Sequence, residues 1–389
     1  MHEGRTVFSQ LMDLVPQRAF QRAVARHGAA RRLRRFSCWD QFLCMAFAPL
    51  TYRESLRDIE ACLRTAPSLY HLGMRAPPVA RSTLADANER RSWQLYADFA
   101  QTLITIARPL YAGDWFGLEL ADTVYALDST TIDLCLSLCP WAPFHHQRGA
   151  IKLHTLLDPR GSIPRFIRIT PGRISDLSTL DQLVYEPGAF YILDRAYLDF
   201  KRLRRLHQSG AFFVTRNLKT TRFVDCESRP VPAVTGLLKD QLIRFSGLTS
   251  RYDFAAPARR ISYRASLDVQ PIVFLTNHLA LPALTIAELY RCHWRIELFF
   301  KWIKQHLRIK AFCGCSENAV KAQIWIAIAV YVLVAIARKR LGINTSLYGL
   351  LQMPSLNLYE ETPSADILQR SKYNPNPAPT GNQLSLFDF

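Results

Sequence analysis

Residues 289–304 read LYRCHWRIELFFKWIK. The spacing of their apolar residues predicts a helix from about residue 285 to about residue 307. At about 100° per residue, one face of that helix carries a phenol, an imidazole, a carboxylate and two ammonium groups. These side chains are Tyr290, His293, Glu297, Lys301 and Lys304. Such a face can ligate a metal ion through the carboxylate and bind a phosphate through the cations.

Two aspartates end apolar strands earlier in the chain. Asp128 closes a run of alternating apolar residues that begins at residue 123, and Asp194 closes the apolar run 190–193. A strand that ends in a carboxylate places the charge at the edge of a sheet, where a divalent cation can offset it. An aspartate at a strand end is more often a turn or capping residue when it stands alone. A metal site is therefore expected only if both aspartates meet Glu297.

The apolar period shortens after about residue 120, which predicts strands that alternate with helices. Strands are predicted at 123–128, 151–157, 166–170, 190–193, 212–215 and 272–276, and helices at 175–185, 199–209 and 319–340. Residues 217–270 contain short β-like runs with little helical periodicity. The pattern indicates a mixed α/β core that is interrupted by a β-rich insertion.

The carboxylate segments resemble those of insertion-sequence transposases of the IS-four family. That family carries a Tyr-x2-Arg-x3-Glu-x6-Lys signature around its catalytic glutamate. Tyr290, Glu297 and Lys304 match the signature at its spacing, and LDRAY at residues 193–197 resembles the segment of the family's second aspartate. One position departs from the pattern, because His293 stands where the family has arginine.

The resemblance implies a fold and a domain order. We expect an α/β RNase H-like (retroviral integrase-like) catalytic core with a β-rich insertion, preceded by a helical DNA-binding domain. The expected units are a basic helical DNA-binding domain at 1–115, the two parts of the core at 120–216 and 271–340, the insertion at 217–270, and a C-terminal segment with a flexible tail at 341–389.

The resemblance also implies a reaction. Asp128, Asp194 and Glu297 would be the catalytic residues and the ligands of two Mg²⁺ ions, with Mn²⁺ able to substitute. The enzyme would move an insertion sequence by cut-and-paste, through strand cleavage, hairpin formation and strand transfer. Its partners would be double-stranded DNA, as terminal inverted repeats and as target, and a second copy of the chain in the DNA complex. We expect it in the bacterial cytoplasm, associated with the nucleoid.

The replacement of arginine by His293 leaves two possibilities for the phosphate contact at that position. The contact is either weaker and sensitive to pH, or it is supplied by Lys301. Tyr290 and Lys304 are the other DNA contacts expected on this helix.

The basic N-terminal segment contains arginine but no lysine up to residue 110. Helix-start signals at Ser37, at Thr51 with Glu54, and at Arg81 predict helices, the last of them long. Arg81, Arg90 and Arg91 are the predicted DNA contacts of a helix-turn-helix-like unit. A plain helical bundle with solvated arginines fits the same pattern equally well.

Further DNA contacts are predicted on the strand after that of Asp128. Lys152 and His154 alternate on one face of this strand and would touch the scissile phosphate, although a merely exposed face explains them as well. Relatives stack a flipped base on an aromatic residue of the insertion, often a tryptophan, and residues 217–280 contain none. The remaining aromatic candidates are Phe223, Tyr252 and Phe254.

The composition agrees with a nucleic-acid partner. The chain has 49 Lys and Arg against 32 Asp and Glu, a net charge of +17 and a pI near 9.7, which favours a polyanion through counterion release. The nine cysteines lack zinc-finger spacing and are expected to be reduced thiols. The most apolar stretch, 325–337, falls short of the roughly 20 residues that span a bilayer, so we expect a buried core helix and no membrane partner.

The C-terminus carries a compact apolar peptide beyond a proline-rich linker. Its four key side chains are Gln383, Leu384, Leu386 and Phe387. The peptide QLSLF resembles those with which bacterial proteins dock on the replication sliding clamp. Packing of an apolar terminus on its own domain is the alternative.

Two other functions remain compatible with these residues. One is a non-enzymatic DNA-binding relic that acts as a repressor at the ends of the element. The other is an RNase H-like nuclease that cuts DNA without joining it. The three intact carboxylates argue against the repressor, whereas His293 leaves room for it.

Overall fold

The computed structural model describes residues 7–29, 36–51, 53–65, 79–118, 120, 122–137, 139–145, 148–232, 236–266, 269–307, 314–345 and 350. The predicted clamp-binding peptide at 383–387 lies outside these residues. The helices within them are α1 Val7–Asp13, α2 Gln17–Arg26, α3 Cys38–Thr51, α4 Leu56–Thr65, α5 Arg81–Arg90, α6 Gln94–Tyr111, α7 Leu177–Leu180, α8 Phe200–Gln208, α9 Ser250–Asp253, α10 Ala283–Arg291, α11 Trp294–Leu307 and α12 Glu317–Arg340.

The strands belong to one mixed sheet. They are β1 Val124–Leu134, β2 Pro143–His145, β3 Arg148–Asp158, β4 Ile163–Pro171, β5 Phe190–Leu193, β6 Phe212–Arg216, β7 Phe223–Arg229, β8 Leu237–Phe245, β9 Ala258–Tyr263 and β10 Ile272–Thr276. The main order is β2-β3-β1-β5-β6-β10-β9-β8-β7, and β4 also pairs with β3. The predicted α/β class is confirmed, and the sheet fits an RNase H-like core.

The central strands follow from their sequence. β5 reads FYIL and all four of its residues are buried, as expected for a strand with both sheet faces covered. It pairs in parallel with β1 on one side and with β6 on the other. The carboxyl ends of β5 and β6 therefore meet at one edge of the sheet, which we call the carboxyl edge, beside the middle of β1. The predicted strand end at Asp128 is wrong, because β1 continues to Leu134 through its pairing with β3.

The β-rich insertion extends this same sheet. β10 pairs antiparallel with both β6 and β9, and β8 and β7 continue the antiparallel order. A bidentate ion pair joins Asp240 on β8 to Arg259 on β9, at 2.7 and 2.6 Å, with only 6% and 4% of the two side chains exposed. The insertion is held by a continuous ladder of backbone hydrogen bonds and by this buried pair.

Helix α12 begins at Glu317, close to the predicted start at residue 319, and ends at Arg340 as predicted. By length and composition alone it could cross a membrane, with a mean hydropathy of 2.1 over its most apolar window. However, 89% of that window is buried inside the protein, and Tyr111 of α6 donates a hydrogen bond of 2.7 Å to the backbone oxygen of Ala335. The prediction of a buried core helix is confirmed.

The N-terminal helices follow two of the three predicted start signals. Ser37 caps α3, because its Oγ accepts from the backbone of Asp40 at 3.1 Å while the Asp40 carboxylate accepts from Ser37 N at 2.6 Å. The capping box predicted at Thr51 is wrong, since Thr51 ends α3 and Ser55 accepts from the backbone of Asp58 before α4. The long helix predicted from Arg81 is two helices, α5 and α6.

One cysteine contact joins distant parts of the chain. The thiols of Cys139, in the turn after β1, and Cys315, just before α12, lie in hydrogen-bonding contact. Burial and this contact raise the pKa of Cys139 to about 11, and Trp141 Nε1 donates to the Cys315 backbone oxygen at 2.7 Å. The contacts fasten the β1–β2 turn to the segment that leads into the core helix.

Candidate active site

Asp128 and Asp194 lie side by side at the carboxyl edge. β1 and β5 pair in parallel with Leu127 opposite Leu193, so each aspartate follows a paired residue on a neighbouring strand. Adjacent strands lie about 4.8 Å apart, which brings the two carboxylates within reach of one another. Both side chains are half-buried.

Glu297 comes from a helix that is packed against the same sheet. It lies in the first turn of α11, whose buried side chains Ile296, Phe299 and Ile303 belong to the main hydrophobic cluster. The opposite side of the helix is open, and 47% of the Glu297 side chain is exposed. Packing of the apolar side thus presents the carboxylate towards the carboxyl edge.

The single helix predicted from 285 to 307 is wrong. The chain forms α10 and α11, separated by a turn at Cys292 and His293. Backbone hydrogen bonds of the tighter i to i+3 type run through the turn, among them His293 N to Tyr290 O at 3.0 Å and Ile296 N to His293 O at 3.1 Å. Tyr290 therefore lies on a different helix from Glu297, and one continuous face does not exist.

The turn nevertheless brings the predicted residues together. The rings of Tyr290 and His293 stack with centroids 5.7 Å apart and planes 5° from parallel. His293 Nδ1 lies 3.5 Å from Glu297 Oε1. Burial opposes a charge on His293, but the Glu297 hydrogen bond and the charges of Asp128 and Asp194 outweigh it and raise the pKa of His293. The raised pKa favours a positively charged imidazole, which lies among three carboxylates.

His293 is only 7% exposed. The imidazole is therefore largely shielded from solvent, which disfavours a direct contact with a DNA phosphate at the surface. Tyr290 is 6% exposed and packs on Phe274, with ring centroids 5.0 Å apart. Burial and the charge of Asp194 raise the pKa of the Tyr290 phenol, against the opposing effect of Arg216. Arg216, at the end of β6, is a residue of this site that the sequence reasoning missed.

The charges at the carboxyl edge fit a divalent cation. Burial and the negative charges of Asp194 and Glu297 raise the pKa of Asp128 to about 6, although His293 and the backbone N–H of Ser129 lower it. A bound cation would relieve this repulsion, and carboxylates are the ligands that Mg²⁺ prefers. Within the described ranges, no three His, Cys, Asp or Glu side chains already surround one point.

The predicted lysines of α11 lie on its exposed side. Lys301 and Lys304 follow Glu297 by four and seven residues and are both exposed. Trp294, three residues before Glu297, is also 38% exposed. This stripe from Trp294 to Lys304 can meet a DNA backbone that passes the carboxyl edge.

Lys152 and His154 do not form an exposed strand face. His154 on β3 is fully buried and its Nε2 lies 2.9 Å from Thr170 Oγ1, so the prediction that it touches the scissile phosphate is wrong in this arrangement. The Lys152 side chain is 14% exposed and its ammonium is held by Asp176 at 3.1 Å. Both residues approach Asp176, which carried no signal in the sequence analysis.

The three N-terminal arginines differ in their surroundings. Arg81 is exposed at the start of α5, and Arg90 is 80% exposed beside Asp86 at 3.7 Å. Arg91 instead donates to the backbone oxygen of Ser37 at 2.7 Å and lies over the Phe36 ring at 5.1 Å. Arg91 thus holds the start of α3, while the other two are available to a ligand.

The three aromatic candidates of the insertion differ in how far each ring is buried. Phe254 is 1% exposed and belongs to a hydrophobic cluster, which excludes it as a stacking surface. Phe223 is half-buried beneath Arg260, 4.8 Å from its ring centroid. Tyr252 is 66% exposed, with Arg251 4.5 Å from its ring. Tyr252 lies beyond the end of β8, however, at the edge of the sheet opposite Asp128.

Comparisons with known proteins identify relatives of this chain. The family described as the transposase DDE domain matches residues 119–333, and a domain of unknown function (DUF4372) matches residues 3–75. A protein of Sinorhizobium fredii, y4zB, which is named as a transposase, is 32% identical over 299 residues, covering 75% of this chain and 81% of that protein.

Two further relatives are named for insertion sequences. The one named for element IS5377 of Geobacillus stearothermophilus is 30% identical over 228 residues, 56% of this chain and 57% of its own length. The one named for element IS4SA of Synechocystis is 22% identical over 271 residues, 67% of this chain and 73% of its own length.

A cryo-EM structure of the piggyBac transposase synaptic complex with hairpin DNA covers 95% of this chain and 82% of its own, at 11% identity and a TM-score of 0.46. A score at this level supports no argument about this chain. The domain match spans more than half of the residues, and the first relative is matched over most of its length. The chain therefore belongs to the family of insertion-sequence DDE transposases of the IS-four kind.

Proposed function

We propose that this DNA transposase moves an insertion sequence by cut-and-paste, with Asp128, Asp194 and Glu297 as its catalytic residues. Because the chain belongs to this family, its activity is transposition and its substrate is DNA. One observation carries the assignment of residues: Asp128 and Asp194 follow paired positions on adjacent parallel strands, and α11, which carries Glu297, packs against β1.

Transposases of this family generally use divalent metal ions, and the three carboxylates would hold two Mg²⁺ ions. When bound, such ions activate a water or a 3′-hydroxyl and stabilise the leaving oxygen. In this proposal Asp128, Asp194 and Glu297 would hold the ions together. The side chain of Glu297 closes the site by turning inwards.

The neighbouring residues have separable roles in this proposal. Lys301 and Lys304 hold the phosphate backbone on the exposed side of α11. His293 stands where the family has arginine, and it is a buried cation whose Nδ1 lies 3.5 Å from Glu297 Oε1. Lys301 and Lys304 therefore make the phosphate contact in its place. Tyr290 supports the imidazole by stacking.

The finer steps belong to the same proposal. One centre makes a first nick, a hairpin at the element end, its reopening and the transfer of the 3′-hydroxyl to target DNA. The ends are paired by two copies of the chain in the DNA complex, in the bacterial cytoplasm at the nucleoid. The net charge of +17 favours this polyanionic partner. Docking of residues 383–387 on a sliding clamp stays a prediction.

The test uses the purified full chain, Mg²⁺ and a plasmid that carries the native ends of the element. Wild type, Asp194→Asn and the control Asp181→Asn are compared on denaturing gels. Asp181 is a surface carboxylate that pairs with Arg202 and Arg205. We expect nicks, hairpins and joined products from wild type and the control, and none from Asp194→Asn.

Other outcomes distinguish the alternatives. DNA binding without cleavage by wild type would overturn the proposal in favour of a repressor. Breaks without joined products would favour a nuclease. Cleavage that survives in Asp194→Asn would remove this residue from the centre.

A further inference from the structure

A fourth carboxylate lies behind the catalytic centre. Asp176 stands in the loop between β4 and α7, and its Oδ1 accepts a hydrogen bond of 2.8 Å from Ser129 Oγ. Ser129 directly follows Asp128 on β1. Its backbone N–H donates to Asp128 Oδ1 at 2.7 Å. One serine therefore connects the two carboxylates.

A lysine and a histidine approach Asp176 on its other side. Lys152 Nζ lies 3.1 Å from Asp176 Oδ1 and also donates to the backbone oxygen of Ile174 at 3.1 Å. His154 Nδ1 lies 3.6 Å from the same carboxylate oxygen. The Asp176 side chain is 26% exposed and that of Lys152 is 14% exposed. The ion pair between Asp176 and Lys152 is thus partly shielded from water, so the removal of either partner would leave the other charge uncompensated.

The sheet register explains why these residues meet. β1 and β3 pair antiparallel with Ser129 opposite His154 and Thr131 opposite Lys152. The loop after β4 folds back across these strands, which places Asp176 over the serine that follows the catalytic aspartate. Nothing in the local sequence of this loop marks it, because its partners come from two other strands.

We propose that Asp176 is a positioning residue of the transposase centre, which fixes the Asp128 carboxylate through Ser129 and is itself neutralised by Lys152. This inference rests on the proposed function, since it takes Asp128 to be a metal ligand. Partners behind a metal ligand orient it, and their loss typically weakens metal affinity about 10- to 100-fold. Lys152 thereby acts as a counter-ion, in place of the phosphate contact predicted from the sequence.

The test measures Mn²⁺ binding to the full chain without DNA, by electron paramagnetic resonance of the free ion. The proteins are wild type, Asp176→Ala, Asp176→Asn, Ser129→Ala, the double variant of Ser129→Ala with Asp176→Ala, and the surface control Asp181→Asn. We expect Asp176→Ala to weaken Mn²⁺ binding about tenfold or more and the control to change it less than about twofold. Asp176→Asn keeps an oxygen that accepts from Ser129, so its loss should be smaller.

The double variant tests the route through Ser129. If Asp176 acts on Asp128 by holding Ser129, the double variant binds Mn²⁺ no more weakly than Asp176→Ala does. Strictly additive losses would overturn this route. Thermal unfolding of each protein checks the fold, and Ser129→Ala, which removes the hydroxyl that donates to Asp176, replaces Asp176→Ala if the latter does not fold.

The outcomes separate this inference from the proposed function. Wild-type Mn²⁺ affinity in a folded Asp176→Ala protein, together with normal strand cleavage, would overturn the positioning role alone. Failure of the wild-type chain to bind Mn²⁺ and to break DNA would overturn the proposed function. Weakened Mn²⁺ binding with a matching fall in cleavage, and unchanged DNA affinity, would support both.

Discussion

Asp128 and Asp194 stand at the same level on two neighbouring parallel strands, since Leu127 pairs with Leu193. The strands are fully buried up to these leucines, and polarity begins at the next residue of each. The fully buried part of both strands thus ends at two adjacent aspartates, although β1 itself continues to Leu134, and the helix of Glu297 supplies the third carboxylate. The predictions below test this arrangement and its surroundings.

Substitution of Glu297 by glutamine should abolish strand cleavage and spare DNA binding. The amide keeps the shape of the side chain but loses the charge that holds a divalent ion. Loss of such stabilisation is worth several kcal/mol, or about 10³-fold in rate. Single-turnover cleavage of an end-labelled duplex measures this rate. Glu317→Gln, a surface residue paired with Lys321, should cleave normally, and a Glu297→Gln enzyme within about tenfold of wild type would refute the role.

Substitution of Lys304 by alanine should weaken DNA binding equally for all sequences. Lys304 is exposed on α11 beyond Glu297, so we expect it to neutralise one phosphate. The slope of log affinity against log salt should then fall by about 0.9. Arg244→Ala is the control, because Arg244 is exposed near the end of β8, at the opposite edge of the sheet. Equal slopes for Lys304→Ala and wild type would contradict the contact.

Arg90 and Arg91 should respond differently to alanine. Arg91→Ala leaves the Ser37 carbonyl without its donor and should lower the free energy of unfolding by about 1–3 kcal/mol. Arg90→Ala, at an exposed position, should leave the free energy of unfolding within about 0.5 kcal/mol and reduce salt-dependent DNA binding. Urea unfolding and DNA titration of both variants measure these effects. Reversal of the two phenotypes would show that the structural assignment is wrong.

His154 should make the protein less stable in acid. Burial lowers the pKa of His154 to about 4, although Asp176 opposes this, whereas the unfolded chain has a histidine pKa of about 6.5. Between about pH 6.5 and pH 4, His154 therefore binds a proton in the unfolded chain but not in the folded protein. The free energy of unfolding should therefore fall by up to about 3 kcal/mol as the pH drops from about 6.5 to 4, and be unaffected above that range.

Urea unfolding at several pH values tests this expectation. His154→Gln cannot titrate, so its stability should decline less than that of wild type across the window. Thr170→Val removes the hydroxyl partner of His154 but keeps the imidazole, and it should retain the wild-type decline. Parallel curves for wild type and His154→Gln would rule out this histidine as the cause.

The Asp240–Arg259 pair should be essential for the stability of the insertion. Asp240→Ala leaves the Arg259 guanidinium buried without its carboxylate, which should cost about 3–5 kcal/mol. The double variant Asp240→Leu with Arg259→Met removes both charges and should regain much of that loss. Urea unfolding measures both proteins. A double variant less stable than Asp240→Ala would contradict the account.

Much of the fold could be predicted because the periodic signals are local. The strand at 190–193 was predicted with its observed ends, and the core helix α12 and the β-rich insertion were also confirmed. The break before α11 could not be seen, since Cys292 and His293 are neither glycine nor proline and the helical period continues across them. Packing of Tyr290 on Phe274 and of α11 on the core decides that break.

The residues of the site also fall into those that the sequence predicted and those that it missed. Tyr290, Glu297 and Lys304 were predicted as site residues from a spacing that resembles the family's signature. Arg216 and Asp176 were not, because each is one polar residue in an ordinary context. His154 was misjudged because strand alternation shows which residues share a face and leaves open whether that face is covered.

The sequence by itself determined the family, the α/β class with its β-rich insertion, and the three candidate carboxylates, because these depend on residue types at short spacings. The tertiary structure alone decided that Leu127 pairs with Leu193, that Asp176 lies over Ser129, and which cations are buried. Strand register and burial depend on contacts between segments far apart in the chain. A short stretch of sequence therefore does not show which strands pair in which register or which side chains are buried.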